Sequence, residues 1–153
     1  MALKRIDDTA ELASIVSHVT ETMLGIRFVA APDGAEPDGG LFWKNAALPI
    51  AGANPLVIAV SADAAGCRAL SGAMFSCSGD QVDESMMNDS LCELANMTAG
   101  LLKSALGLDQ ALGLPRIRDA HDLFGARPPQ EGCKRHLLRA DHLNLVLSIV
   151  TGI

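Results

Sequence analysis

A chain of 153 residues carrying 18 acidic and 12 basic side chains, net charge −6 and pI near 5.0, is a poor match for nucleic acid or an anionic membrane surface. Apolar residues make up 49% of it, which excludes a disordered composition, while aromatics are only 3%, so the core must be built from Leu, Ile, Val, Ala and Met. The N-terminal "MALKRIDDTAEL" turns charged within a few residues and no run reaches the roughly 18 apolar residues of a membrane span, so the expectation is one cytoplasmic domain over residues 1–153.

In chain order, Leu12, Ile15, Val16, Val19, Met23 and Leu24 recur at helical spacing, with Asp8 and Glu11 placed to cap the start and Gly25 to end the run. "IRFVAAP" reads as a strand, "DGAEPDGG" as a connection and "LFWKNAALPI" as a second strand paired across it in a hairpin. "LVIAVSA" is a short β-branched run that suits a buried strand, after which Ser61 is placed to cap a helix through "ADAAGCRALSGAMF", weakened by Gly66 and Gly72. "SCSGDQVDES" is a loop with Asp80 as the next cap, and the helix that follows runs to Leu106 before Gly107 stops it.

"GLPRIRDAHDLF" accommodates a short strand over Leu114–Ile117, and "GARPPQEG" is a loop. Two strands close the chain, "CKRHLLRA" and "LNLVLSIVTGI", joined at Asp141 and His142. The last is apolar on nearly both faces, as a central strand or one paired across a subunit boundary would be. The element order predicts an α+β fold, a mainly antiparallel sheet with helices packed on one face.

Four irregularly spaced cysteines, Cys67, Cys77, Cys92 and Cys133, never form C-x-x-C and read as free thiols packed as small hydrophobes. Four histidines show no ligand spacing, so no metal is expected.

Chemistry concentrates on the long helix. At about 100° per residue, Leu91, Leu94, Ala95, Thr98, Leu101, Leu102 and Ala105 form an apolar stripe that must face the sheet. Asp89, Glu93, Asn96, Gly100 and Lys103 fall on the opposite arc, with Met86 and Met97 at its margin. A solvated helix side accounts for charged residues there, but Asn and Gly each cost helix stability, Gly about 1 kcal/mol, so their presence on one exposed face asks for another reason. Gly100 also leaves room for another backbone to approach.

"DSLCELANMTAG", that is Asp89-x-x-x-Glu93-x-x-Asn96 continuing through Met97 and Gly100 to Lys103, resembles the signature helix of the CheC/CheX/FliY chemotaxis phosphatases. A single copy in a short chain is most similar to CheX, and "ETMLGI" ends the first helix in the same style; Pro115 resembles the proline that follows the motif. The resemblance implies removal of the phosphoryl group from the aspartate of a CheY-like receiver domain. It implies Asn96 and Glu93 as catalytic residues, with Asn96 orienting water and Glu93 engaging the receiver's active-site lysine. Asp89, Glu93, Met97, Gly100 and Lys103 would contact the partner, the chain would need no cofactor of its own, Mg would sit on the receiver, and the protein would be a homodimer. The alternative is a non-catalytic module that docks a receiver or a flagellar-switch component through the same helix; a dimerising structural domain is a third reading.

Overall fold

A computed structural model of the chain describes residues 8–32, 37, 39–52, 55–105, 107, 111–124, 133–141 and 143–151. Among these, helix α1 (Thr9–Leu24) leads through β1 (Val29–Ala30), β2 (Lys44–Ile50) and β3 (Leu56–Ala62) into α2 (Ala64–Phe75) and α3 (Glu84–Ala105). The chain closes with β4 (Arg116–Arg118), the short α4 (Ala120–Phe124), β5 (Cys133–Ala140) and β6 (Leu143–Thr151). The strands form one antiparallel sheet in the order β1-β5-β6-β3-β2-β4.

The alternation of each strand decides what covers it. Ala46, Leu48 and Ile50 of β2, Leu56, Ile58, Val60 and Ala62 of β3, and Leu143, Leu145, Leu147 and Ile149 of β6 all join the core beneath α1, α2 and α3. The α+β layering expected from the element order is the one observed. On the other face, Leu137 and Val146 pack with Leu41 of a 3-10 turn over Gly39–Phe42. There the Arg135 guanidinium lies 4.5 Å from the Phe42 ring and 4.4 Å from that of Phe124, so α4, which the residue pattern did not predict, joins this second face. β6 is central, so its two-sided apolarity is satisfied within the chain.

Three local expectations are corrected. The hairpin of the first two strands does not form: Val29 and Ala30 pair with Arg139 and Leu138 at one sheet edge, whereas β2 pairs with β3 and β4. The reason lies in Phe28, whose N–H donates to Ser17 Oγ at 2.8 Å and whose carbonyl accepts from it at 2.9 Å, tying the segment to α1. Ser61 remains in β3 and donates to Asn45 Oδ1, and Asp63 caps α2 instead by accepting from the Gly66 N–H. Asp83, not Asp80, starts α3, accepting the Met86 N–H at 2.8 Å.

Other caps stand as expected: Asp8 accepts from Ala10 and Glu11, and Gly25 takes the left-handed conformation that ends α1. Gly72 has a packing role, since a Cβ there would lie 2.8 Å from the Cys77 carbonyl oxygen. Leu106, the final turn at His142, the loop at 125–132 and most of the 33–40 connection lie outside the described residues.

All four cysteines are free, and Cys67 is buried in the core. Burial pushes its thiol up from 9.0 to about 11, against the pull of the nearby Lys44 ammonium. The folded chain therefore holds this proton more tightly than the unfolded one. Its contribution to stability is present below about pH 9 and is lost as pH rises toward 11. Urea unfolding midpoints should fall across that interval, and the fall should shrink in Cys67→Ala; an identical profile in the variant would contradict this.

Candidate functional site

Helix α3 is the longest described element, and its two sides differ sharply in burial. Met87, Leu91, Leu94, Ala95, Ala99 and Leu102 are buried in the core, together with Ser90 and Thr98. Leu101 and Met97 pack partly against it. This is the stripe expected from the apolar spacing, widened by Ser90 and Ala99. Its start is stabilised by Asp83 and Glu84 near the positive helix terminus, and Lys103 sits in the last turn, where a cation is favoured. The described helix ends at Ala105, and Gly107 takes φ +65°, the left-handed conformation expected of a helix stop.

Asp89, Glu93 and Asn96 are all exposed, one turn apart along a single arc. Gly100 continues that arc half-buried, and a Cβ placed there would meet nothing within 4 Å, so its backbone borders open space. Lys103 is half-buried at the far end. Met97 lies at the margin with part of its side chain in the core. The methionines of this helix are therefore divided: Met87 is core, whereas Met86 and Met97 are half-exposed. Pro115 immediately precedes edge strand β4.

Chemically, the arc offers a carboxamide that can both accept and donate beside two carboxylates, and the half-buried Cys92 thiol that flanks it is pushed up by burial and by the nearby Asp89 carboxylate, away from the nucleophilic thiolate. Among the described residues no group of three or more His, Cys, Asp or Glu is placed to hold a metal ion, and no helix is long and apolar enough to cross a membrane. His136 is buried and shares a 2.8 Å hydrogen bond between its Nδ1 and Thr9 Oγ1, which ties β5 to the start of α1.

One residue at the site was not singled out by sequence. Lys44 sits at the start of β2 on the side facing the helices, only 7% exposed. Its Nζ donates to Asn88 Oδ1 at 2.6 Å and lies 3.7 Å from Glu84 Oε1, both on α3. The exposed Trp43 ring stands 5.2 Å from the same ammonium. The signal was available: in the alternation of β2, position 44 shares a face with Ala46, Leu48 and Ile50, where a lysine is out of place.

Gly100→Ala should raise the unfolding free energy by about 0.5–1 kcal/mol, because a mid-helix glycine is replaced without meeting a neighbour. Chemical denaturation measures this, and a loss of stability would reveal a contact at Gly100 that the fold does not show.

The family model for the chemotaxis phosphatase CheX matches residues 45–132. No curated protein sequence matches the chain. Among solved structures, the chemotaxis protein CheX from Desulfovibrio desulfuricans superposes with a TM-score of 0.69 at 18% identity, covering 92% of this chain and 96% of that one. The CheX-CheY-BeF3-Mg complex from Borrelia burgdorferi gives a TM-score of 0.71 at 16% identity, covering 96% and 99%. Thermotoga maritima FliY gives 0.66 at 9% identity, covering 99% and 90%. These likenesses are in fold. With more than half of its residues matched by the family model, the chain belongs to the CheX family of chemotaxis phosphatases.

Proposed function

We propose that this protein, acting as one CheX-like domain, accelerates dephosphorylation of the phospho-aspartate of a CheY-like receiver domain by presenting the outer arc of α3 to the receiver's active site. The observation that carries the reading is the exposure of Asp89, Glu93 and Asn96 on one side of a helix whose other side is locked into the core. Membership of a phosphatase family supports it.

Hydrolysis of an acyl phosphate needs little covalent help from the protein. A water oxygen bonds to phosphorus as the bond from phosphorus to the aspartate carboxylate oxygen breaks, leaving inorganic phosphate and a free carboxylate. What the reaction needs is the water held in line with the leaving oxygen. Asn96 is suited to holding it, because its carboxamide accepts from the water while its NH2 group donates elsewhere, and it does not compete as a charged nucleophile.

Glu93, one turn earlier, is placed to pair with a cation on the receiver, fixing the register in which Asn96 enters. Asp89, Met97, Gly100 and Lys103 form the remaining contacts, with Gly100 allowing close approach of the partner's backbone. The cofactor-free reading has magnesium bound by the receiver. A homodimer, carried by the family resemblance, belongs to the same proposal.

The test is the lifetime of the acyl phosphate on a phosphorylated receiver. The wild-type protein should shorten it, and Asn96→Ala should lower the acceleration by about a hundredfold or more with docking retained. Glu93→Ala should weaken docking by about 2–5 kcal/mol, appearing mainly in KM. Equal decay with and without the protein would leave a non-catalytic docking module, and absence of any receiver interaction would leave a structural domain.

A further inference from the structure

Three consecutive residues of α3 point in three directions. Asp89 faces outward, while Asn88 and Ser90 stand about 100° to either side of it. Each flanking residue is tied to a different element. On one side Asn88 accepts from Lys44 of β2 at 2.6 Å; on the other, Ser90 Oγ donates to the Met86 carbonyl at 2.8 Å and shares a 3.0 Å hydrogen bond with Ser71 Oγ of α2. Toward the other end of α3, Thr98 Oγ1 is buried with no hydrogen-bond partner among the described residues, so it supplies no such key.

We propose that Lys44 is a positioning residue for the α3 site, fixing the rotation of the helix about its own axis and hence the direction in which Glu93 and Asn96 point. Apolar contact alone leaves that rotation soft, because the buried side of the helix includes the small side chains of Ala95 and Ala99 and burial has no directional preference. Side-chain tips lie about 5–6 Å from a helix axis, so a rotation of about 20° moves them by about 2 Å. Such a shift breaks a hydrogen bond of 2.6 Å, and it carries Asn96 the same distance from its target. The Lys44 bond therefore resists the displacement that in-line attack cannot tolerate.

The choice of residue supports this. Stripping water from an ammonium at a position 7% exposed is costly, and the ion pair to Glu84 offsets little, since the Glu84 side chain is 78% exposed. A methionine would fill the same space in an otherwise apolar strand face. A directional donor is what the methionine lacks.

The kinetic arm of this inference rests on the phosphatase reading above; the structural arm does not. In Lys44→Met, kcat for receiver dephosphorylation should fall by about tenfold to a hundredfold with KM changed by no more than about twofold, while the urea midpoint is not lowered. Asn88→Ala, which removes the acceptor from the other side of the same bond, should match its loss of kcat, though with a lowered urea midpoint because the ammonium is left without its close acceptor, and Asn88→Asp, which keeps an acceptor for the ammonium, should retain most of the rate. Backbone residual dipolar couplings of α3, referred to those of the sheet, should shift as a block in Lys44→Met and Asn88→Ala. Wild-type kcat in both variants, an equal loss in Asn88→Asp, or unmoved couplings would overturn the proposal. If the wild-type protein leaves the acyl phosphate untouched, the phosphatase reading fails while the couplings still decide whether Lys44 sets the helix.

Discussion

The burial of one side of α3 against the sheet is the constraint that every other feature of the site inherits. Leu91, Leu94, Ala95 and Leu102 keep the apolar stripe of the helix inward, and so hold Asp89, Glu93 and Asn96 on the solvent side. An exposed amide and two carboxylates are ordinary on a surface helix. They become a usable arrangement because the opposite side is fixed in a close-packed core and the first turns are tied to both β2 and α2. Stability and site geometry are here the same set of contacts viewed from two sides.

The sheet explains how so small an aromatic content suffices. β6 and β3, at its centre, contribute Leu145, Leu147, Ile58 and Val60 to one continuous aliphatic layer beneath α1, α2 and α3. The second face needs less cover: the 3-10 turn brings Leu41 onto Leu137 and Val146, and Arg135 lies between Phe42 and Phe124. Two residues of the short basic run at 134–136 are engaged within the fold, Arg135 with the two aromatic rings and His136 with α1. Structures only 9–18% identical share the fold. That is the expected result when a pattern of buried positions, rather than particular residues, specifies the layers.

Legibility in the sequence followed the range of the interaction involved. The stripe and the outward arc of α3 depend on a 3.6-residue repeat within one segment, and both were readable. So were the end of α1 at Gly25 and the left-handed conformation of Gly107, each a local backbone requirement. The partner of β1 was not, because pairing with β5 rather than β2 depends on Phe28 being held by Ser17, a tertiary contact with no local mark. Asp80 and Asp83 are equally good caps by composition, and Ser61 competes with Asp63; which one serves is decided by where the preceding turn or strand ends. Lys44 lies between these cases: the alternation of β2 puts its charge on the core side, a local mark that was missed, but its acceptor Asn88 is 44 positions away, on another element.

The decisive measurement is the structure of this protein bound to a receiver whose aspartate carries a stable phosphoryl mimic. The outer arc of α3 should be seated over the receiver's active site, with Glu93 paired with a receiver cation and the Asn96 carboxamide within hydrogen-bond distance of a water in line with the mimic. A complex in which the receiver docks on another face, leaving Asn96 in open solvent, would contradict the role given to α3.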